Sequence, residues 1–306
     1  MTSTTFSLRS AQSLAEFVAI VDDIRPQTSA GLWFRGQSRA ERQLIPSVYR
    51  QVETITDGRG NPVKPGQIVR SSGGEVGGPS PELALAAYKR LARPFLPSQP
   101  ENDFEWMFVG QHHGLKTRLL DWSTNALAGL FFGASTARIS GGDGAEACRA
   151  FEEGDAHRDD GFAVFVIDPG AMNEAAHSCS YPIDIAAEPE KWAHYLNPVD
   201  YGLSAYLPIC VVAPHVSPRI RAQSGVFTLH GSNIQAIDYY DVLRPMITKI
   251  FLPYTATESI RASLRTLGVT SSFIYPGLET IAADVNDSEA RRYAAERKLY
   301  LASIQE

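Results

Sequence analysis

The segment from Gln111 to Ala134, QHHGLKTRLLDWSTNALAGLFFGA, constrains this chain more than any other. Two histidines, an arginine, an aspartate, a tryptophan and a serine crowd together, and the sequence then runs straight into an apolar stretch. A turn that only joins two elements does not need so many functional side chains, so the segment reads as the mouth of a pocket with a buried helix behind it. Ser123, Thr124 and Asn125 can each cap a helix by accepting from its first free N–H groups. Ala126, Leu127, Ala128, Leu130, Phe131, Phe132 and Ala134 are apolar nearly all round, the pattern of a helix without a solvent face. Thr117 to Leu120 reads as a short extended approach. Asp121, Trp122 and Ser123 are then expected at the turn, beside the positive end of the helix, where an anion is favoured.

The chain has 306 residues, enough for one large domain or two small ones, and at 44% apolar residues it can bury a sizeable core. A net charge of −6 argues against general binding to a phosphate backbone but leaves room for a local basic groove. Cys148, Cys179 and Cys210 are odd in number and widely spaced. They make neither a metal motif nor a disulfide framework, which points to a reducing cytoplasm. The N-terminus lacks a basic-then-apolar signal pattern, and no run of about 18 apolar residues exists, so no membrane span is expected.

Helices are expected at Ser13–Ile24, Pro81–Phe95, from Phe104, at Glu258–Gly268 and at Ser288–Ile304. Strands are expected at 32–36, 161–168, 206–213, 226–230, 247–252 and 271–275. Residues 55–80 and 138–160 are rich in Gly and poor in apolar side chains, so they read as flexible insertions, and deletion of 141–158 is expected to leave the fold intact. Helical first, then strands with a few helices and no steady βαβ rhythm, the order favours α+β with a largely antiparallel sheet. The division expected is an N-terminal helical segment (1–30), one domain (31–285) and a C-terminal helix (286–306).

Several residues carry chemistry. Arg35, in Phe34-Arg35-Gly36, ends a strand beside a glycine that permits close backbone approach; it can hold a phosphate through two bonds or tie down a loop. His112 and His113 offer a general base, or divide into one buried structural ring and one exposed ring. Arg118 and Asp121 are three apart and can pair across the turn. Trp122 can stack on a base or fill the core. Arg219, Arg221 and Gln223 form a substrate-facing loop or a solvated one, and Glu279 is a candidate carboxylate or an exposed helix-start residue. No triad, phosphate loop, dinucleotide glycine fingerprint or zinc signature is present, and no metal is expected.

In this order the pieces resemble the FRG domain family, named for an aromatic-Arg-Gly motif, here Phe34-Arg35-Gly36. The likeness continues in Leu44-Ile45-Pro46-Ser47-Val48-Tyr49-Arg50 and is strongest from Gln111 to Trp122. It runs on through Arg221 to Thr228 and Lys249 to Pro253, and closes on Phe273 to Glu279. The chain also resembles the ADP-ribosyltransferase fold. Arg35 stands at the end of a first strand, Ser123-Thr124-Asn125 at a turn into an apolar helix, and Gln223-Ser224-Gly225 at the start of a late strand. Gly225 occupies the place of that fold's catalytic Glu. The resemblance implies a single α+β domain with a mainly antiparallel, split sheet flanked by helices. It implies NAD as substrate, with ADP-ribosyl transfer or NAD hydrolysis, a protein or nucleic-acid acceptor, and use as a toxin or phage-defence effector. Arg35, Gly36, Arg118, Trp122, Ser123 and Gln223 would bind the nucleotide, with His112, His113, Asp121 or Glu279 as catalytic groups. The alternative is a non-catalytic module that binds a nucleotide, nucleic acid or protein through the same pocket.

Overall fold

Every residue from Gly161 to Ile167 is buried, so this strand must be covered on both faces. The computed structural model, which describes residues 7–51, 53–54, 76–77, 79–96, 98–198, 204–214 and 218–304, places it inside a large sheet. The strands are β1 (Ser7–Ser10), β2 (Trp33–Gln37), β3 (Glu53–Thr54), β4 (Val76–Gly77), β5 (Leu119–Ser123), β6 (Gly161–Ile167), β7 (Ile183–Asp184), β8 (Ile209–Val212), β9 (Gly225–Leu229) and β10 (Ile247–Pro253). The helices are α1 (Leu14–Asp23), α2 (Pro81–Ala92), α3 (Asp103–His112), α4 (Ala126–Ser135), α5 (Gly144–Glu152), α6 (Pro169–His177), α7 (Pro218–Ala222), α8 (Thr257–Thr266), α9 (Ser271–Ile274) and α10 (Leu278–Ser303).

Among the described residues, eight strands form one sheet in the order β1-β10-β6-β2-β5-β9-β8-β7, while β3 and β4 make a separate ribbon. The fold is α+β and the sheet mainly antiparallel, as expected, every inner pairing being antiparallel, but it is one mixed sheet rather than a split one. Its outer pairs, β1 with β10 and β7 with β8, are parallel. The two halves meet at the centre through one residue pair, Phe34 with Ser123. Alternation divides β6 between two cores. Ala163, Phe165 and Ile167 join Trp33, Phe151 and Phe251 on one face, and Phe162, Val164 and Val166 join Phe34, Leu130 and Ile250 on the other. A third cluster, with Phe104, Trp106, Leu119, Tyr195 and Leu229, lies on the β5–β9–β8 half.

Four local expectations need correction. Residues 138–160 hold a helix, α5, rather than a flexible insertion: Asp143 caps it through the N–H groups of Ala145 and Glu146. Its Phe151 is fully buried and stacks on Phe251 at 4.8 Å. Polar composition concealed three inward residues, Ala147, Cys148 and Phe151, at helical spacing. Residues 271–275 begin a short helix instead of a strand, because the Thr270 hydroxyl caps Phe273 N–H. Asp121, Trp122 and Ser123 lie inside β5 rather than at the turn, and Asn125 caps α4 through Leu127 and Ala128. The C-terminal helix starts at Leu278, so it includes Glu279. Residues 55–75 lie outside the described residues.

Candidate functional site

The three residues of Phe34-Arg35-Gly36 divide by strand alternation. Phe34 and Gly36 face α4, where a Cβ on Gly36 would stand 2.0 Å from the Gly129 carbonyl oxygen and 2.2 Å from the Gly133 nitrogen. The missing side chain therefore serves helix packing, while the Gly36 backbone also borders the cleft on β2. Arg35 faces the other way, into a cleft of about 340 Å³ at the junction between β2 and β5. That volume suits a small-molecule site.

Arg35 is mostly buried. Its Nη1 donates to the Asp121 carbonyl oxygen at 2.6 Å and stands 4.0 Å from the Asp121 carboxylate, while its Nε has no partner among the described residues. Burial lowers its pKa to about 10, with Asp121 opposing that shift and Arg50 adding to it, so it remains a cation at neutral pH. Arg50 is held by a fork from Nε and Nη2 onto the Ile45 carbonyl, at 3.2 and 3.0 Å. Burial lowers its pKa too, and Arg42 adds to that. Arg42 and Arg50 line the cleft beside Arg35, and Arg219 joins them from α7. Four guanidinium groups face one carboxylate, Asp121. An anion placed in the cleft would offset this basic concentration.

The opposite lip comes from the end of α3. Gln111 accepts from the Thr117 hydroxyl at 2.8 Å, which turns its amide nitrogen to both Asp121 carboxylate oxygens at 3.2 Å. The Asp121 side chain is 61% exposed, so its charge is held in place yet open to the cleft. His112 lines the cleft as well. Burial, then the neighbouring His113 and Arg219, push its pKa down, so it is a neutral proton acceptor at pH 7. Tyr275 closes the far side, with the Arg219 guanidinium 4.7 Å above its ring.

Arg35, Gly36, His112, Asp121, Trp122 and Gln223, distant in sequence, thus line one cleft. Within it Trp122 is mainly a core residue, its Nε1 donating to Thr228 Oγ1 at 3.1 Å. The Gln223 amide donates to the Ile274 carbonyl oxygen at 3.2 Å. Ser123 is buried below the floor, donating to the Gln223 carbonyl oxygen at 2.7 Å.

Other candidates lie elsewhere. Arg118 does not pair with Asp121. Its guanidinium is buried and donates to the carbonyl oxygens of His230, Tyr195 and Leu196, with Glu82 at 3.5 Å. Residues three apart along an extended chain point to opposite faces, which is why the pair fails. His113 is exposed at the end of α3 with its ring against His112, and Glu279 is exposed in the first turn of α10; neither lines the cleft.

Sequence reasoning left Arg42 and Arg50 without a role, although Arg50 closes the motif Leu44 to Arg50. The signal was there: an arginine ending a run of apolar anchors presents its charge at a fixed place. Gly225 lines the cleft opposite Ser123 on β9. A Cβ there would stand 3.3 Å from Ile220 Cγ2 and 3.4 Å from the Ile220 carbonyl oxygen, so Ile220 must give by a few tenths of an ångström to admit a side chain.

Residues 30–140 match the family model of the FRG domain. That segment carries the FRG domain pattern. The match takes in Arg35, Arg42, Arg50, Gln111, His112 and Asp121, the basic floor and the acidic lip of the cleft. The remaining wall of the cleft, from Arg219 to Tyr275, comes from chain beyond the matched segment. No curated protein and no solved structure matches the chain. Among the described residues, no helix is long and apolar enough to cross a membrane.

Proposed function

We propose that the cleft binds a pyrophosphate nucleotide, NAD, and cleaves its nicotinamide–ribose bond, passing ADP-ribose to water or to a macromolecular acceptor. The observation that carries this reading is the set of four arginines around a single open carboxylate. Arg35, with Arg50 and Arg42, takes the pyrophosphate; a guanidinium fork suits two oxygens of one phosphate. Asp121 then stands where positive charge develops on the ribose as the bond breaks. The bonding pair leaves with nicotinamide and neutralises its ring. The acceptor oxygen adds at the ribose carbon and yields its proton to His112. A cytoplasmic setting, where free Cys148, Cys179 and Cys210 stay reduced, belongs to the same proposal. So does a toxin or phage-defence role, since such a reaction depletes NAD or modifies a target.

One observation favours a second reading, a module that binds the nucleotide without turnover. Gly225 stands where the transferase resemblance expects a carboxylate, and Ile220 crowds that position. Incubating the protein with NAD labelled in the nicotinamide ring separates the two. Release of label, abolished by Asp121→Asn, supports the enzyme. Saturable retention of intact NAD without release supports the module, and neither release nor retention removes both.

A further inference from the structure

A cleft of about 340 Å³ lies near the lower end of the about 300–1,000 Å³ that small-ligand sites span, whereas a dinucleotide carries a nucleoside on each side of its pyrophosphate. Asp121, His112 and Tyr275 border the cleft together with Arg219, which stacks on Tyr275. Arg42 and Arg50 lie on a different border, because both also line a second groove of about 440 Å³ with Glu41, Gln43, Ile45 and His157. That groove touches neither Asp121 nor His112. It continues the cleft past the two arginines, away from the carboxylate.

The second groove has its own chemistry. Ile45 gives it a half-buried aliphatic floor, packed against Val48, Tyr49 and Ile234. The Ile45 carbonyl oxygen takes the Arg50 fork, so the cation and the apolar floor are fixed to one residue. The Gln43 main-chain oxygen accepts from Gln37 Nε2 at 3.2 Å and from Ile45 N–H at 3.0 Å. These bonds hold the backbone and leave the exposed Gln43 side-chain amide with no hydrogen bond among the described residues. His157 adds an exposed ring, and Glu41, the acid that borders the groove, is paired with Arg39.

An aliphatic floor, a ring and an unpaired amide, with two guanidinium groups at the edge, match a nucleoside that carries phosphate. A side-chain amide can pair with adenine at two points, accepting from its N6 amino group and donating to its N7. Stacking on a ring adds affinity whatever the base. We infer that this groove is the adenosine subsite of the nucleotide, with Gln43 reading the adenine edge and His157 stacking on its face. The inference rests on the pyrophosphate reading of the cleft: Arg42 and Arg50 then hold the phosphates from which the adenosine arm departs. Asp121 and His112 stay with the other arm, where the bond breaks.

The test is calorimetric titration of the full chain with inorganic pyrophosphate, ADP and inosine diphosphate. The two nucleotides differ only at the base edge, where inosine has an oxygen in place of the adenine N6 amino group. The parent chain is expected to bind ADP at least about tenfold more tightly than inosine diphosphate, the discrimination of a two-point amide contact. Gln43→Ala is expected to remove that preference, and His157→Ala to weaken both nucleotides alike. Neither variant is expected to change pyrophosphate affinity, which reads the arginines alone. Both side chains are exposed, so both variants are expected to melt as the parent does. Pyrophosphate binding without a preference for ADP, or a preference that survives Gln43→Ala, overturns the adenosine subsite and leaves the reading of the cleft standing. A chain that binds none of the three overturns both.

Discussion

The Arg35 guanidinium donates to the main-chain oxygen of Asp121 at 2.6 Å and so spans the junction where β2 and β5 share a single residue pair. One side chain thereby closes the weakest seam of the sheet while presenting its charge to the cleft. Arg35→Lys keeps a charge but loses the fork. Nucleotide affinity is expected to fall about ten- to a hundredfold, the worth of a bond to a charged group, about 1.5–3 kcal/mol. Loss of the seam bond is also expected to lower the melting temperature by about 2–4 °C. Titration and melting of the one variant check both; an unchanged affinity per folded molecule would leave Arg35 a structural residue only.

Gly36→Ala puts a methyl within 2.2 Å of backbone atoms in α4 at Gly129 and Gly133. Backbone cannot rotate aside as a side chain can, so the sheet and helix must part. A destabilisation of at least about 3 kcal/mol, at the upper end of overpacking costs, is expected in chemical denaturation. A variant as stable as the parent would show that α4 is not held against β2 as described.

Deleting 141–158 removes α5 and with it Phe151 from beneath Phe251. Cooperative melting is expected to be lost. The milder Phe151→Ala is expected to cost about 3–5 kcal/mol, the range for a fully buried aromatic. A deletion variant that melts as sharply as the parent would return the segment to the flexible insertion its composition suggests.

The sequence disclosed the elements whose periodicity is strong, such as β6 with its unbroken apolar run and α4 with its polar cap. It also disclosed the cleft's separate parts, because Arg35, Gln111, His112 and Asp121 each sit at the end of an apolar segment. It concealed α5, where three inward residues were diluted by a polar window. It misassigned Arg118, since the partner of a buried guanidinium is chosen by tertiary packing: its carbonyl partners lie on residues 195, 196 and 230. The flat junction at Phe34 and Ser123 was equally beyond reach, because register between distant strands leaves no local mark.

His230 is fully buried, and burial, with Arg118 nearby, holds its pKa down at about 3. The unfolded chain binds a proton there near pH 6.5, so between pH 6.5 and 3 the unfolded state carries the extra proton. Stability contributed by neutral His230 is complete above pH 6.5 and is expected to fall as pH drops, by up to about 1.4 kcal/mol per unit. His230→Gln should flatten that limb of the stability profile. An identical acid limb in the variant would assign the loss to other groups.

Calorimetric titration of ADP-ribose into the whole chain tests the central claim most directly, because ADP-ribose carries the pyrophosphate without the labile bond. Saturable one-to-one binding is expected, weakened at least tenfold by Arg50→Ala, which removes a cation from the cleft. Absence of heat at millimolar ADP-ribose, or binding indifferent to Arg50→Ala, would contradict it.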